Sequence, residues 1–121
     1  MTNPIMLNWL RIRAPKAETF AAVCTGSMLL GVAGLLDGRH ATTHWRPLDW
    51  MRDTFPSVSV DYDKHFVQDG HVFTSAGISA GIDMSLKVVA RYFGVAVARA
   101  TARHMQYPYP ESDTRRIQIY G

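Results

Sequence analysis

The chain has one cysteine in 121 residues, and its neighbours give it a chemical context. Phe20-Ala21-Ala22-Val23 ahead of Cys24 is a short apolar run of the kind that forms a buried parallel strand. Gly26 and then Ser27-Met28-Leu29-Leu30 follow with the spacing of a buried helix. A strand that turns straight into a helix places its turn residue at the carboxyl edge of a sheet. Free helix N–H groups and the positive end of the helix dipole face it there. A thiol in such a place favours the thiolate, and the thiolate is the nucleophile. The run therefore reads as a cysteine version of the strand–turn–helix nucleophile elbow. A small buried core cysteine fits the same residues. Gly26 favours the elbow, because a glycine lets the backbone turn tightly and come close to a bound group.

Four further positions could act with the thiol. The Thr25 hydroxyl could hydrogen-bond the thiolate or a substrate atom, or simply cap the helix. His44 ends the next expected strand, at the edge where sites in α/β sheets collect. A histidine there can serve a thiolate as base or proton donor. The alternative is a satisfied structural histidine. The stretch from Gly77 to Gly81 leads into a helix N-terminus, and backbone N–H groups at Gly77 and Ile78 could line an anion or carbonyl pocket. Its plain alternative is a loop whose Ser79 caps the helix.

These residues need elements to hold them. Asn3-Pro4 predicts a helix start, with Ile5, Met6, Trp9, Leu10 and Ile12 as an apolar face and Pro15 as its end. Thr19 to Val23 is the elbow strand and Ser27 to Ala33 the helix behind it, with Gly34 as a left-handed C-cap. Arg39 to Thr43 reads as a strand ending at His44. Trp45-Arg46-Pro47 opens a helix through Phe55, stopped by Pro56, and Ser57 to Val60 alternates as a short strand does. His65 to Gln68 and His71 to Thr74 flank Asp69-Gly70, a hairpin signal. Ser75 to Gly81 is a small-residue loop. Ile82, Leu86, Val89 and Phe93 share a helical face that Gly94 breaks, and Val95, Ala98, Ala102 and Met105 mark a last helix. The tail to Gly121 reads as a surface arm. Asp83 reads as a charge favourable to the helix dipole. His40, His65, His71 and His104 read as solvated, as do the arginines of the C-terminal third. Alternating strands and helices predict an α/β sheet with helices on both faces.

Composition sets bounds. A chain of 121 residues is at most one domain. It is 47% hydrophobic and 19% charged, as globular proteins are. A net charge of +3 is too small to imply nucleic acid. A lone cysteine excludes an internal disulfide and a Cys-rich zinc site. No run of about 18 or more apolar residues predicts a membrane span. No basic segment followed by an apolar one opens the chain, so a cytoplasmic protein is expected. Neither GxGxxG nor a P-loop is present, and no metal, nucleotide or flavin cofactor is expected.

The segments Val23-Cys24-Thr25-Gly26, Ala33-Gly34-Leu35-Leu36-Asp37-Gly38, Ala41-Thr42-Thr43-His44-Trp45 and Thr74 to Asp83 together resemble the ThiJ/PfpI superfamily, relatives of class I glutamine amidotransferase domains. Their order and spacing are similar to those of isocyanide hydratases and of the sensing domains of AraC-type regulators. The resemblance runs from about Pro4 to Tyr107. It implies a flavodoxin-like three-layer sandwich with a mostly parallel sheet, in which Cys24 is the elbow nucleophile. In the hydratase branch a threonine follows the cysteine, as Thr25 does here. That branch adds the cysteine to the isocyanide carbon and releases an N-substituted formamide, a lyase reaction. In other branches a histidine at the place of His44 lies near the cysteine. Family domains are longer. The resemblance therefore implies that residues 1–121 are a partial domain, its C-terminal two-thirds, lacking the N-terminal strands and an acidic residue that hydrogen-bonds the cysteine. A strand edge left open beside Phe20 to Val23 implies a homo-oligomer. The expected partners are a small-molecule substrate or ligand, with no nucleic acid and no membrane bound by this chain. Three readings follow: a cysteine-dependent enzyme scaffold, a non-enzymatic sensing domain, and a fragment that keeps part of the fold without activity.

Overall fold

The computed structural model describes residues 3–24, 26–44, 46–109 and 117–120. Local signals account for its first helix, α1 (Pro4–Arg13). Asn3 Oδ1 accepts the Ile5 and Met6 N–H groups at 3.0 and 3.1 Å, and Pro4 takes the first helical position, where no N–H is needed. A short 3-10 turn over Ala14–Lys16 leads to β1 (Phe20–Val23) and then α2 (Gly26–Val32). Gly34, at φ +80°, closes α2 in the left-handed conformation, and the Leu35 N–H reaches back to Leu30 O at 2.9 Å. β2 (His40–Ala41), α3 (Leu48–Thr54) and β3 (Ser59–Val60) follow, then β4 (Phe66–Asp69) and β5 (Val72–Ser75). The two long helices are α4 (Ile78–Phe93) and α5 (Val95–His104), broken apart at Gly94 with φ +94°. β6 (Ile117–Tyr120) ends the order.

The main sheet runs β1-β5-β4-β6. β1 lies parallel to β5 and β6 parallel to β4, while β4 and β5 form the antiparallel hairpin that Asp69-Gly70 signals. Gly70 sits at φ +62°, as a two-residue hairpin loop demands. β2 and β3 form a separate parallel pair. The sheet separates two apolar layers. On one face Ala22 and Val72 pack with Leu30, Leu36, Met51 and Val58 from α2, α3 and their connections. On the other, Phe66 and Phe73 pack with Met84 of α4. This is the α/β sandwich with a mostly parallel sheet that the sequence predicts.

Several expectations need correction. The described end of the tail is not an arm: Ile117-Gln118-Ile119-Tyr120 pairs with the whole of β4, while residues 110–116 and 121 of the expected arm lie outside the described residues. The expected loop from Ser75 to Gly81 is shorter, because Ser75 completes β5 and α4 begins at Ile78. The strand expected over Arg39 to Thr43 is only His40–Ala41. In α1 the buried side chain is Leu7, while Ile5, Trp9 and Ile12 are 82%, 57% and 52% exposed. The face that looks apolar in sequence is therefore turned outward.

Candidate active site

The elbow exists, and its strain sits on the cysteine. Cys24 follows β1 directly and has φ +56°, a left-handed conformation that costs a residue with a side chain on the order of 1–2 kcal/mol. Three bonds hold the backbone there. The Cys24 N–H donates to Ser75 O at 3.0 Å. The Cys24 carbonyl accepts the Thr43 hydroxyl at 2.8 Å and the Ser27 hydroxyl at 3.1 Å. Ser27 and Thr43 are fully buried, so neither bond competes with water. The cysteine itself is half-buried. A fixed, distorted backbone aims the thiol away from the strand direction.

Sheet register explains why other groups meet it. Val23 and Ser75 are paired, so β1 and β5 end side by side. α2 starts at Gly26 and α4 at Ile78, each within three residues of those strand ends. Two helix N-termini thus rise from the same carboxyl edge, where their free N–H groups favour negative charge. Gly77 is the extended N-cap of α4, makes no side-chain cap, and has open space where a Cβ would stand. The side chain of Ile78 and the whole of Thr25 lie outside the described residues. Thr43 brings the backbone of His44 to the elbow. The half-buried imidazole accepts the Arg46 N–H at Nδ1 over 3.3 Å, which places the proton of the neutral ring on Nε2.

Gly26 does not make the tight turn expected of it. It is not among the glycines with positive φ, and a Cβ added to it would touch Ala22 Cβ at an ordinary 3.8 Å. The tight turn is Cys24's own. A close packing contact is made by Gly81, where a Cβ would lie 2.7 Å from Val23 Cγ1. That glycine lets α4 settle against the elbow strand.

Sequence reasoning missed several polar contacts elsewhere in the fold. Asp83 is fully buried and lies beyond the first turn of α4, which begins at Ile78, so it is not the first-turn dipole charge expected. The Tyr107 hydroxyl donates to Asp83 Oδ1 at 2.7 Å, and His65 Nε2 lies 2.7 Å from Asp83 Oδ2. The His65 contact has ion-pair distance without hydrogen-bond angles, so it is an electrostatic contact. His40, though partly exposed, has partners as well as solvent: it stacks on Tyr120 at 3.8 Å and faces Asp61 at 3.3 Å. Ser75 Oγ is buried with no hydrogen-bond partner among the described residues, on the residue whose carbonyl holds the Cys24 N–H. An aspartate inside an apolar helical run was the available signal for Asp83. Ser27 and Thr43 carried none, because their partner is a main-chain carbonyl. Among the described residues no three His, Cys, Asp or Glu side chains converge as metal ligands. No helix among them is long and apolar enough to cross a membrane.

This arrangement can present a fixed sulfur to a small electrophile beside two helix N-termini. Comparison with known proteins gives it relatives. An isonitrile hydratase of Pseudomonas putida is 38% identical over 116 residues, 94% of this chain and 49% of that protein. The HTH-type transcriptional regulator CdhR of Pseudomonas aeruginosa is 36% identical over 119 residues, 97% of this chain and 35% of the regulator. The crystal structure of a ThiJ/PfpI family protein from Pseudomonas syringae superposes with a TM-score of 0.80 at 32% identity, over 90% of this chain and 44% of that one. Drosophila melanogaster DJ-1beta shares the fold at a TM-score of 0.75 and 22% identity, over 89% of this chain and 56% of that one. The chain spans about half the length, or less, of the relatives it matches in sequence. The sequence model of the DJ-1/PfpI family matches residues 1–91, a span that holds the elbow, the Thr43–His44 strand exit and the start of α4. With the flavodoxin-like sandwich in place around them, this chain belongs to the DJ-1/PfpI family.

Proposed function

We propose that this chain is a cysteine-dependent scaffold for a small electrophile, acting on an isocyanide as isonitrile hydratases do. The observation that supports it is the strained Cys24, held at φ +56° by Ser27, Thr43 and Ser75. Distortion kept in place by three separate segments belongs to a site rather than to a packing residue. The Cys24 sulfur adds to the terminal carbon of R–N≡C, and the carbon takes a proton to give a thioimidate. Water adds to that carbon, the C–S bond breaks, and the thiolate returns as R–NH–CHO leaves. Atoms balance as one isocyanide plus one water. Thr25 and His44 are the proposed proton handlers, and the N–H groups at Gly26, Gly77 and Ile78 line the substrate position. The proposed setting is the cytoplasm, with residues 1–121 as a partial domain that functions as a homo-oligomer.

The test incubates the full chain with an alkyl isocyanide and follows the N-substituted formamide by NMR. Formamide that vanishes in Cys24→Ala supports the reading, and formamide at the buffer rate with both proteins refutes it. A second reading has its own support, since the CdhR regulator matches 97% of this chain. In that reading the same edge binds a small molecule without turnover. It predicts ligand-induced stabilisation of chain and Cys24→Ala variant alike, with no product.

A further inference from the structure

We propose that Asp83 is a positioning residue for Cys24, acting from inside α4 through His65 and the exit of β5. The role rests on the proposed function in that Cys24 is taken as the reacting atom's residue. Asp83 is fully buried, and its two oxygens reach different segments. Oδ2 lies 2.7 Å from Nε2 of His65, the residue just ahead of β4. Oδ1 accepts the Tyr107 hydroxyl at 2.7 Å, from beyond the end of α5. Each contact leads on to a support of the elbow. The His65 carbonyl accepts the Ala76 N–H at 3.0 Å, and the neighbouring Ser75 carbonyl accepts the Cys24 N–H at 3.0 Å. The Tyr107 hydroxyl also lies 3.1 Å from Ser79 O, in the first turn of α4. Asp83 thus ties down both the strand exit that carries the Cys24 backbone and the helix start beside it.

Neither of those segments is secured by its own side chains. Gly77, the N-cap of α4, brings no side chain to the free N–H groups of the helix. Ser75 Oγ has no hydrogen-bond partner among the described residues. The direction of the Gly77 and Ile78 N–H groups therefore depends on contacts from outside the turn. A purely stabilising role suits Asp83 poorly. Desolvation of a carboxyl group and an imidazole offsets much of their attraction, and an apolar side chain of similar volume often serves a core as well. Two buried oxygens with separate partners add direction, which an apolar side chain does not. Direction matters at a reacting centre, where a misplacement of about 1 Å costs on the order of 100-fold in rate.

The test is amide hydrogen exchange of the full chain, followed by NMR, with Asp83→Asn. That change keeps the shape and an oxygen for Tyr107 but alters the group facing His65. Two amides report the elbow, Cys24 and Ala76. Two report the opposite end of the same sheet: Phe20, bonded to His71 O, and Gly70, bonded to Tyr120 O. Protection at Cys24 and Ala76 should fall at least about tenfold, while Phe20 and Gly70 stay within about twofold. An equal fall at all four amides would mean that Asp83 only stabilises the fold, and an unchanged Cys24 amide would mean that it does not reach the elbow; either result overturns the proposal. His65→Ala reads the same pattern whether or not Asp83→Asn folds, because it removes the imidazole and keeps the carbonyl that holds Ala76. The double variant should lose no more protection than one single variant, and additive losses would show two independent effects and overturn the proposal. Isocyanide turnover is read separately. In an active chain Asp83→Asn should lower kcat several-fold with KM within about twofold, and an unchanged kcat overturns the role. A parent chain without turnover overturns the hydratase reading alone, and the exchange pattern then decides the role of Asp83.

Discussion

Replacing Cys24 by glycine should stabilise this protein relative to replacing it by alanine. Cys24 sits at φ +56°, and an alanine there keeps the same clash between its Cβ and the backbone. That clash costs about 1–2 kcal/mol, which glycine removes. Glycine gives back about 0.5–1 kcal/mol through the greater freedom of the unfolded chain. The net gain of Cys24→Gly over Cys24→Ala is therefore roughly 0.5–1 kcal/mol. At ~2.1 cal/mol/K per residue, 121 residues unfold with an entropy of about 250 cal/mol/K. The expected rise in Tm is then about 2–4 °C. Ala22→Gly, two residues earlier in β1, supplies the opposite sign. It loses a buried methyl and strand order together, about 1.5 kcal/mol, and lowers Tm by about 6 °C. Scanning calorimetry of the three variants in reducing buffer reads both signs at once. If Cys24→Gly melts below Cys24→Ala, the strain argument is wrong, and Cys24 is an ordinary strand-end residue.

Three further outcomes follow from the same packing. Gly81→Ala drives a methyl to within 2.7 Å of Val23 Cγ1 and should cost about 1–3 kcal/mol in urea unfolding, and adding Val23→Ala should recover much of that, a favourable coupling that additive costs would disprove. Thr43→Val keeps the buried shape but removes the shorter of two hydroxyl bonds to the Cys24 carbonyl; it should lower stability by about 1–2 kcal/mol, and a urea midpoint equal to that of the parent chain would show that the bond holds nothing. Burial, and then the bond it donates to Asp61, raise the Tyr120 phenol above its ordinary 10.0. A proton held more tightly in the fold stabilises it below that value and is lost as pH rises through the folded one. Thermal stability should therefore fall from about pH 10 upward, more steeply than in Tyr120→Phe. Tyr62, raised by its bond to Asp49, titrates alike in both proteins and cancels; parallel curves would remove Tyr120 from the account.

Sequence was most informative where structure is decided by neighbours in the chain. Asn3-Pro4, the Asp69-Gly70 turn and Gly94 each act within a few residues, and each lies where the sequence implies. The elbow belongs in part to this class, since an apolar run followed at once by a helical one leaves little choice about the turn. β6 does not. Ile117-Gln118-Ile119-Tyr120 is a weak strand by itself, and its order comes from β4, some fifty residues earlier. Its Ile-x-Ile alternation was the one local sign. Asp83 was misread for a related reason. The helix was expected to start nearer to it, but α4 begins at Ile78 and leaves Asp83 beyond the first turn, where His65 and Tyr107 approach from distant segments.

The candidate site has the same two parts. Strand and helix dictate that Cys24 turns, but they do not make it rigid. Rigidity comes from Thr43, which arrives from the exit of β2, and from Ser75 at the end of β5. Thr42, just before Thr43, is itself tied by its N–H to the Thr74 hydroxyl at 2.9 Å. Consecutive residues of the β2 exit are thus fixed to β5 and to the elbow, so the His44 backbone is placed by the sheet rather than by a loop of its own. A site whose supports come from separate elements loses geometry when any one shifts. Gly81 decides how closely α4 approaches β1, and through the Val23–Ser75 pairing it also decides how firmly the elbow is seated. Gly81→Ala should therefore change the native alkylation rate of Cys24 by several-fold, although residue 81 bonds to nothing at the thiol. An unchanged rate in a destabilised protein would mean that α4 supports the fold but not the site.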